Sequence, residues 1–522
     1  MSTSSPNDLS EILISFYTEK KSHDKNFGIT VSPIVSKLAE WYEKLRNAME
    51  YRQEEVVFQS AIQRILTRKL LLRIDTSIAE SLTRELVWAK YVPENEITDE
   101  EIEMIDKKIQ LFLDLKKNIQ SQKIMRNEKL SEWIIENLSS ELTELLTPNQ
   151  EKEAMINYIF HALEKNISVE EETNETKDIQ LYVAIRRMYA KENRALLRHS
   201  LFKQYFGELT ESSFEKISKD FKKGFEDIEF SLDHPIKYRM QGYVKKFIPP
   251  FLILDQILHD KKSEIQDLLK NEEQLDAEIE KICNEKYKSI QSKVNRAILR
   301  SFVFVAISKV FFGFAVEGTY ERIMYGELVW ISLILNIVIP VSVMALSVLF
   351  MKSPKEDNTK RIQEGIGALL FAEFPKIGYK TTIKNPKIKH FSITQIVFNL
   401  LSVCTYILSF GVIIYLLKLV QYNIVSIGVF LFFFAIISFL IYRIYQTSKT
   451  YTYLQRQSFR SLLLDFFFLP IARVGRKLTE GISQVNFLIF VFDFIIETPF
   501  KALFQFFDQW FLYLHSKRES LD

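Results

Sequence analysis

Glycine, proline and cysteine are scarce in this chain, with 14 Gly, 13 Pro and 2 Cys among 522 residues. Sheet-rich folds need turn residues at short intervals, so the scarcity of Gly and Pro favours long helices and predicts an all-α fold. Cys283 and Cys404 lie far apart and match no metal-binding or redox spacing, which argues against a structural disulfide. The N-terminus MSTSSPNDLS is polar and lacks the basic and apolar regions of a cleavable signal peptide.

Common catalytic motifs are missing as well. The sequence has no glycine-rich phosphate loop, no HExxH, no GxSxG and no paired CxxC. His259 and Asp260, with Asp255 about one helical turn earlier, have no further His or Cys nearby, so solvated side chains are the better interpretation than metal ligands. We assign no catalytic residue, predict no metal and no cofactor, and favour a protein that is not an enzyme.

The whole chain has no large excess of positive or negative charge, since its 68 Lys and Arg nearly balance its 66 Asp and Glu. The two halves differ nevertheless. Residues 1–299 carry 45 basic and 52 acidic residues, whereas residues 300–522 carry 23 and 14 and hold 29 of the 42 Phe. An acidic first half argues against nucleic acid as a partner, and an apolar, basic second half points to a membrane.

Helix start signals mark the first half. Ser32-Pro33 and Thr147-Pro148 each place a cap before a first-turn proline, and Thr98 with Glu101 forms a capping-box pattern. Apolar residues then recur three or four positions apart, as in helices with one buried face. The clearest stripes are Leu38, Trp41, Tyr42, Leu45 and Met49, and Trp133, Ile134, Leu138, Leu142 and Leu145. The first half is therefore predicted to be a series of amphipathic helices.

Residues 1–250 are predicted to form a cytoplasmic, all-helical domain, followed by a stalk-like helix over 251–298. The stalk has neither Gly nor Pro and carries a loose apolar stripe among many charges. Glu272 and Lys286 fall on that stripe, which argues against a long two-stranded coiled coil. The predicted stalk leads directly into the first apolar segment.

The membrane region is predicted over 299–447. Roughly 20 apolar residues span the hydrocarbon core, and we predict four such spans. They are residues 299–316, 328–351, 396–420 and 424–442. The first span contains Lys309, and a re-entrant rather than a spanning path for this segment is the alternative.

Basic residues set the predicted orientation. The loop 352–390 has nine Lys or Arg against four acidic residues, whereas the connection 317–327 has one Arg against three Glu. Because cytoplasmic loops are enriched in Lys and Arg, four spans with both termini in the cytoplasm fit these asymmetries. We therefore predict a multi-pass integral membrane protein.

Residues 448–522 are predicted to be aromatic-rich, amphipathic helices that lie on the membrane surface. Asp493, Glu497, Lys501 and Asp508 interrupt the Phe-rich stretch 486–514 at helical intervals, and a spanning helix would have to bury all four charges. The stretch 460–477 is its expected companion. The alternative interpretation is that these helices pack over the spans or between subunits.

Two groups of residues are candidate sites in or near the membrane. An intramembrane polar site for an ion or small solute would use Lys309, Glu317, Asn336 and Pro340. The alternatives are that Lys309 snorkels or pairs with Glu317, and that Asn336 joins two helices by a hydrogen bond. Contacts to anionic lipid headgroups are predicted for Lys380, Lys384, Lys387, Lys389, Arg473, Arg476 and Lys477.

A third candidate site is a basic stripe on a helix predicted over 185–206. It consists of Arg187, Lys191, Arg194 and Arg198. Such a stripe can bind an acidic protein partner or anionic lipid, and internal salt bridges are the alternative in an acidic domain.

The function that these features favour is an integral membrane scaffold that presents its cytoplasmic helical domain to a protein partner. More than half of the chain lies outside the predicted membrane segments and carries no catalytic motif. The first alternative is a homo-oligomeric channel or transporter component with a polar pathway near Lys309. The second is a membrane enzyme that acts on lipids.

Overall fold

The computed structural model describes two compact units. The described residues are 6–18, 33–50, 54–72, 77–326 without 95, 124 and 263, 356–372, 377–385, 393–454 without 421, and 459–483, with scattered positions within 330–354 and 503–514. The N-terminal unit contains Pro6–Lys245 and Leu369–Pro386, and the apolar unit contains Lys246–Ala368 and Lys387–Asn486. The chain is predominantly helical, as the scarcity of Gly and Pro predicts.

The described part of the N-terminal unit is built from short and medium-length helices. They are α1 (Asp8–Thr18), α2 (Pro33–Glu50), α3 (Glu54–Leu72), α4 (Ile78–Trp88), α5 (Asp99–Ser121), α6 (Asn127–Leu146), α7 (Gln150–Glu164), α8 (Asn174–Met188), α9 (Arg194–Phe206), α10 (Phe214–Leu232) and α11 (Lys237–Lys245). α2 begins at the predicted proline, and the capping box of Thr98 and Glu101 forms at the start of α5.

The start predicted at Thr147-Pro148 is wrong by two residues. Asn149 is the cap of α7, because its Oδ1 accepts a hydrogen bond of 2.8 Å from the backbone N–H of Lys152. Thr147 instead ends α6, and its backbone N–H donates to the carbonyl of Thr143. A side-chain amide one residue after the proline thus takes over the capping role that the hydroxyl was expected to fill.

Trp133 lies at the centre of the core of the N-terminal unit. Its ring centroid is 5.8, 5.1 and 5.7 Å from those of Phe202, Phe221 and Phe225. The predicted stripe of α6 is buried here except for Leu145, which is partly buried, as expected from its helical spacing. In α2 the predicted face is only partly right, because Leu38 and Trp41 are exposed. Tyr42 is buried as predicted, and Val35 and Ala39, which were not part of the predicted stripe, are buried beside it.

Two short strands join distant parts of the N-terminal unit, and the sequence did not predict them. β1 (Ile167–Val169) pairs in parallel with β2 (Thr381–Ile383), with Ile167 opposite Thr381. Next to them, the side chain of Asn166 donates to the carbonyl of Ile377 at 3.0 Å. Part of the predicted loop 352–390 is therefore a component of the N-terminal unit.

The apolar unit contains longer helices. They are α12 (Ile248–Asp260), α13 (Ile265–Leu269), α14 (Glu272–Phe312), a π-helix (Gly313–Gly318), α15 (Thr319–Tyr325), α16 (Glu356–Leu370), whose last two residues belong to the N-terminal unit, α17 (Ile393–Leu419), α18 (Ile424–Ser448) and α19 (Phe459–Ser483). The stalk predicted over 251–298 is divided, because the chain turns between Asp260 and Glu272. α14 then continues without a break into the first apolar segment, as predicted.

Three described helices are long and apolar enough to cross a membrane. They are Glu272–Met324, Asn399–Leu419 and Ile424–Ser448. The predicted second span, 328–351, lies almost wholly outside the described residues. α18 is the central helix of the unit: Phe433 lies against Phe312 of α14, with ring centroids 5.3 Å apart, and Ile437 shares a buried cluster with Val294 and Val305 of α14. Phe430 belongs to a second cluster with residues of α17 and α19.

α19 contains the stretch 460–477 that was predicted to lie on the membrane surface. In the structure this helix packs on α17 and α18 through Ile471, Val474 and Leu478, which is the alternative interpretation. The approach is close, since a Cβ built on Gly475 would overlap the backbone carbonyl of Ala435. Small residues permit such backbone contact between helices. The stretch 486–514 lies outside the described residues except for scattered positions.

Candidate functional site

An open cleft of about 650 Å³ lies in the N-terminal unit between α1, α6, α7 and α9. Cavities of this size accommodate small molecules or several side chains of a peptide. α1 contributes an apolar wall, with Leu9, Ile12, Leu13 and Phe16. Hydroxyl and amide side chains of α6, α7 and α9 line much of the remaining surface, and buried charged residues lie among them.

The apolar wall is held in place by the residue that precedes α1. The Nδ2 of Asn7 is 2.8, 3.0 and 3.0 Å from the carbonyl oxygens of Leu369, Leu370 and Ala372, and its Oδ1 accepts from the N–H of Ser10. The hydroxyl of Tyr158 donates to the carbonyl of Leu369 at 2.8 Å. One wall of the cleft thus depends on the end of α16.

We expect Asn7→Ala to loosen α1 without unfolding the unit. The change removes the donor for three carbonyls, a loss of about 1–2 kcal/mol. Hydrogen exchange of the full-length protein should become at least about five-fold faster within 8–18, because about 1 kcal/mol of opening free energy corresponds to that factor. Asn118→Ala, at the exposed end of α5, is the control. Equal exchange in α1 of both variants would contradict this role.

Arg186 forms a buried ionic cluster at the cleft. Its guanidinium is 2.8 Å from each of Glu192 and Glu153, and Lys152 lies 3.2 Å from Glu192. Burial alone would lower the pKa of Arg186, but the two carboxylates outweigh it and raise the pKa above its usual value. The guanidinium is therefore permanently charged, and its charge is balanced within the protein.

His199 forms a second buried cluster, and it is 3% exposed. Its Nε2 is 3.2 Å from Glu141 and 3.4 Å from Glu144, while Lys108 and Lys203 pair with the same two carboxylates. Burial lowers the pKa of His199, but the two carboxylates reverse this effect and raise it above 6.5. Within the described part of the chain, the Nδ1 of His199 is buried and has no hydrogen-bond partner.

The pKa values of Glu141 and Glu144 are both about 2. Burial raises the pKa of Glu141, yet His199 and Lys108 together lower it; for Glu144, His199 is the largest cause and Lys203 adds to it. A depressed carboxylate pKa contributes stability above about 4.5, and this is lost as the pH falls towards 2. The raised pKa of His199 contributes stability below 6.5, which is lost as the pH rises through the folded value.

His199→Gln should therefore lower the thermal stability of the full-length protein most strongly between about pH 4.5 and 6.5. In this window all three groups of the wild-type cluster are charged and paired. We expect the difference in melting temperature from the wild type to shrink on both sides of the window. His161→Gln, on the exposed rim of the cleft, is the reference variant. A difference that does not vary with pH would show that His199 contributes packing alone.

The predicted basic stripe is not one helical face. The predicted helix over 185–206 is two helices, α8 and α9, and Lys191 between them has a positive φ of 53°. Arg194 pairs with Asp233 at 2.6 Å, and buried Arg198 pairs with Glu229 at 2.6 Å and with Glu136. Arg187 donates to the backbone carbonyl of Glu192. These are internal contacts, the alternative that an acidic domain allows.

The other predicted site residues lie apart from the cleft. Lys309 lies in α14 and Glu317 in the π-helix, and their side chains are outside the described part of the structure, as are Asn336 and Pro340. Lys380 and Lys384 are exposed on either side of β2, while Lys387 and Lys389 are outside the described residues. Arg473, Arg476 and Lys477 are exposed on α19. No described group of three or more His, Cys, Asp or Glu could hold a metal ion.

No family model, no curated protein and no solved structure matches this chain. The cleft itself had not been predicted, because its lining comes from helices far apart in the sequence. One local signal pointed towards it. Residues 136–144 carry Glu136, Glu141 and Glu144 beside Ser and Thr on a helix, which is an unusual surface to bury.

Proposed function

We propose that the protein is a membrane-anchored binding protein whose N-terminal unit takes a segment of a partner protein in the cleft. The observation that carries this proposal is the contrast between the two sides of the cleft. The charges of Arg186 and Lys152 are balanced by those of Glu153 and Glu192, so this side of the cleft does not require a highly charged ligand. An apolar wall opposite hydroxyl and amide groups suits apolar side chains carried on a polar peptide backbone.

The exposed surface of α17 supports anchoring in a membrane. Leu400, Ile407 and Leu416 are apolar side chains that are more than half exposed along this 27-residue helix. Soluble proteins rarely expose an apolar surface of this length, and lipid chains would cover it. The apolar unit would then anchor the chain in a bilayer.

Hydrogen bonds at two ends of the apolar unit support four crossings between the start of α14 and the end of α18. At one end, Asn358 donates to the hydroxyl of Tyr287 at 2.7 Å and to the carbonyl of Tyr451 at 2.8 Å. At the other end, the Nδ2 of Asn423 is 3.3 Å from Glu321. At about 1.5 Å per residue, α14 with its extension separates 287 from 321 by roughly 50 Å, more than the thickness of the hydrocarbon core. A return of the chain between 321 and 358 fits the predicted second span, residues 328–351.

The pairing of β1 with β2 supports a location of the N-terminal unit and the loop 352–390 on the same side of the membrane. β2 belongs to that loop and pairs with β1, so both lie in one aqueous compartment. The positive charge of the loop assigns this compartment to the cytoplasm. In a cysteine-free variant, an impermeant thiol reagent should label Arg322→Cys from outside, and Lys360→Cys and Lys380→Cys only after lysis.

Site-specific photocrosslinking in the native membrane tests partner binding. A photoreactive phenylalanine at Ile12, on the wall of the cleft, should form a discrete adduct with one protein, and the crosslinked peptide should carry apolar residues. The same group at Phe230, an exposed position on α10, is the control and should not form this adduct. The full-length chain is required, because a fragment over 1–250 lacks β2 and the carbonyls that hold Asn7.

A variant that fills the cleft tests whether the adduct at Ile12 depends on binding within the cleft. Thr143→Trp should abolish the adduct at Ile12, since the indole occupies the space beside α6. Glu132→Trp changes an exposed position on the same helix and should leave the adduct intact. An adduct that persists in Thr143→Trp, or that forms equally at Phe230, would refute partner binding in the cleft.

A further inference from the structure

The depth at which α19 lies in a bilayer determines what surrounds its basic residues. Gly475 lies against Ala435 and Phe439 of α18, and the neighbouring Ile471 and Leu478 belong to the same buried cluster. Ala435 lies near the middle of the uncharged run 424–442. If α18 crosses the bilayer, as the membrane anchoring proposed above requires, Gly475 lies near the middle of the hydrocarbon core.

The basic residues of α19 lie on the side opposite this contact. Arg473, Arg476 and Lys477 are exposed, and at 3.6 residues per turn they project from one face, roughly opposite the face of Ile471, Gly475 and Leu478. They flank Gly475 in sequence, so their backbone lies at the same depth. Hydrocarbon chains cannot cover three cationic side chains at that depth without a large free-energy penalty.

Two buried hydroxyl groups lie at about the same depth as Gly475. Ser438 lies one helical turn from Ala435 in α18. Ser409 of α17 and Ala435 are separated from the connection at 420–423 by similar numbers of residues, so they lie at similar depths. Both side chains are buried, and neither hydroxyl has a hydrogen-bond partner in the part of the chain that the structure describes. Serine is common at helix contacts within membranes, whereas ionisable groups at this depth, such as the three cations of α19, are characteristic of ion and solute pathways.

We propose that the cationic face of α19, formed by Arg473, Arg476 and Lys477, lines a water-filled pathway for small inorganic anions between copies of this chain. Rings of Arg and Lys select anions in pores, and symmetric copies around a central axis would form such a ring. Lipid phosphates are a poorer fit, because headgroups lie about 15 Å from the middle of the bilayer. This inference goes beyond partner binding and places the polar pathway at α19 rather than at Lys309.

Anion flux with reversal of charge tests the proposal. Full-length protein in phosphatidylcholine vesicles should admit iodide, measured by quenching of an entrapped dye, well above protein-free vesicles. The triple change Arg473→Glu, Arg476→Glu and Lys477→Glu should reduce iodide flux at least ten-fold and admit a cation such as thallium instead. Lys216→Glu, Lys219→Glu and Lys222→Glu together, at exposed positions of α10, make the same change in net charge outside the spans and should leave iodide flux unaltered.

Milder variants test the proposal if the triple Glu variant does not fold, and a depth measurement locates the basic face in the bilayer. If the triple Glu variant does not fold, the triple Gln variant should still lose the preference for iodide over thallium. An impermeant thiol reagent should reach Arg473→Cys, which identifies a water-filled pathway. Iodide flux no greater than in empty vesicles, or a preference that survives both triple variants, would overturn the proposal. A fluorophore at position 473 that is quenched by spin labels at the lipid headgroups, and not by spin labels deeper in the bilayer, would also overturn it. That result would assign the basic face to lipid phosphates. Partner crosslinking at Ile12 is independent of each outcome.

Discussion

Arg186→Met should destabilise the N-terminal unit by about 3–5 kcal/mol, because it leaves a buried carboxylate without its main partner. Glu192 is 2% exposed and, among the described residues, would keep Lys152 alone as an ionic partner, at 3.2 Å. The hydrogen bond to Tyr182, at 2.8 Å from the guanidinium, is lost as well. We expect a lower midpoint of chemical unfolding for the full-length protein, with the fastest hydrogen exchange in α8 and α9.

A double variant separates charge from packing. Glu192→Gln added to Arg186→Met removes the orphaned carboxylate and should recover a substantial part of the lost stability. Arg84→Met is the matched control, since Arg84 forms an exposed pair with Glu80 one turn earlier and should change stability by less than about 1 kcal/mol. Equal losses in Arg186→Met and Arg84→Met would mean that the buried cluster contributes no more than a surface pair.

Gly475→Ala should destabilise the packing of α19 on α18 by about 1–3 kcal/mol, because the new methyl group overlaps a backbone carbonyl that cannot rotate away. The sign is informative, since Ala is otherwise about 1 kcal/mol better than Gly within a helix. Unfolding of the full-length protein in mixed micelles, followed by circular dichroism, measures the change.

Gly411→Ala in α17 and Gly428→Ala in α18 are the matched controls. A Cβ at either position meets no heavy atom of the described residues within 4 Å. Both variants should therefore be as stable as the wild type or more stable. If Gly475→Ala behaved like these two, α19 would not be in close contact with α18, and the depth assigned to its basic face would be wrong.

Local patterns predicted much of the helical structure. The stripe of α6 predicted burial at Trp133, Leu138 and Leu142, and the capping box predicted the start of α5. The start of α7 was missed because several cap-forming side chains occur within three residues, and only the backbone geometry shows that Asn149 is used. Periodicity thus predicts the existence and face of a helix better than its exact ends.

Long-range contacts could not be predicted in the same way. β1 and β2 are three residues each, too short to show alternation, and their partners are more than 200 residues apart. The cluster of His199 joins three helices, and no local spacing records such a meeting. A signal for the packing of α19 was present in Ala472 and Gly475, two small residues on an otherwise bulky helix. The aromatic and basic residues around them favoured the surface interpretation.

The strand pair also affects how this protein is made. The ribosome completes Lys245 well before it reaches β2 and the carbonyls that hold Asn7, so the N-terminal unit cannot close while it is the only part synthesised. At about 5–20 residues per second, the delay is on the order of ten seconds. During that time chaperones have access to an unfinished domain. A chain whose intervening apolar segments were inserted wrongly would keep β1 unpaired, and quality-control proteases could recognise it by this open edge.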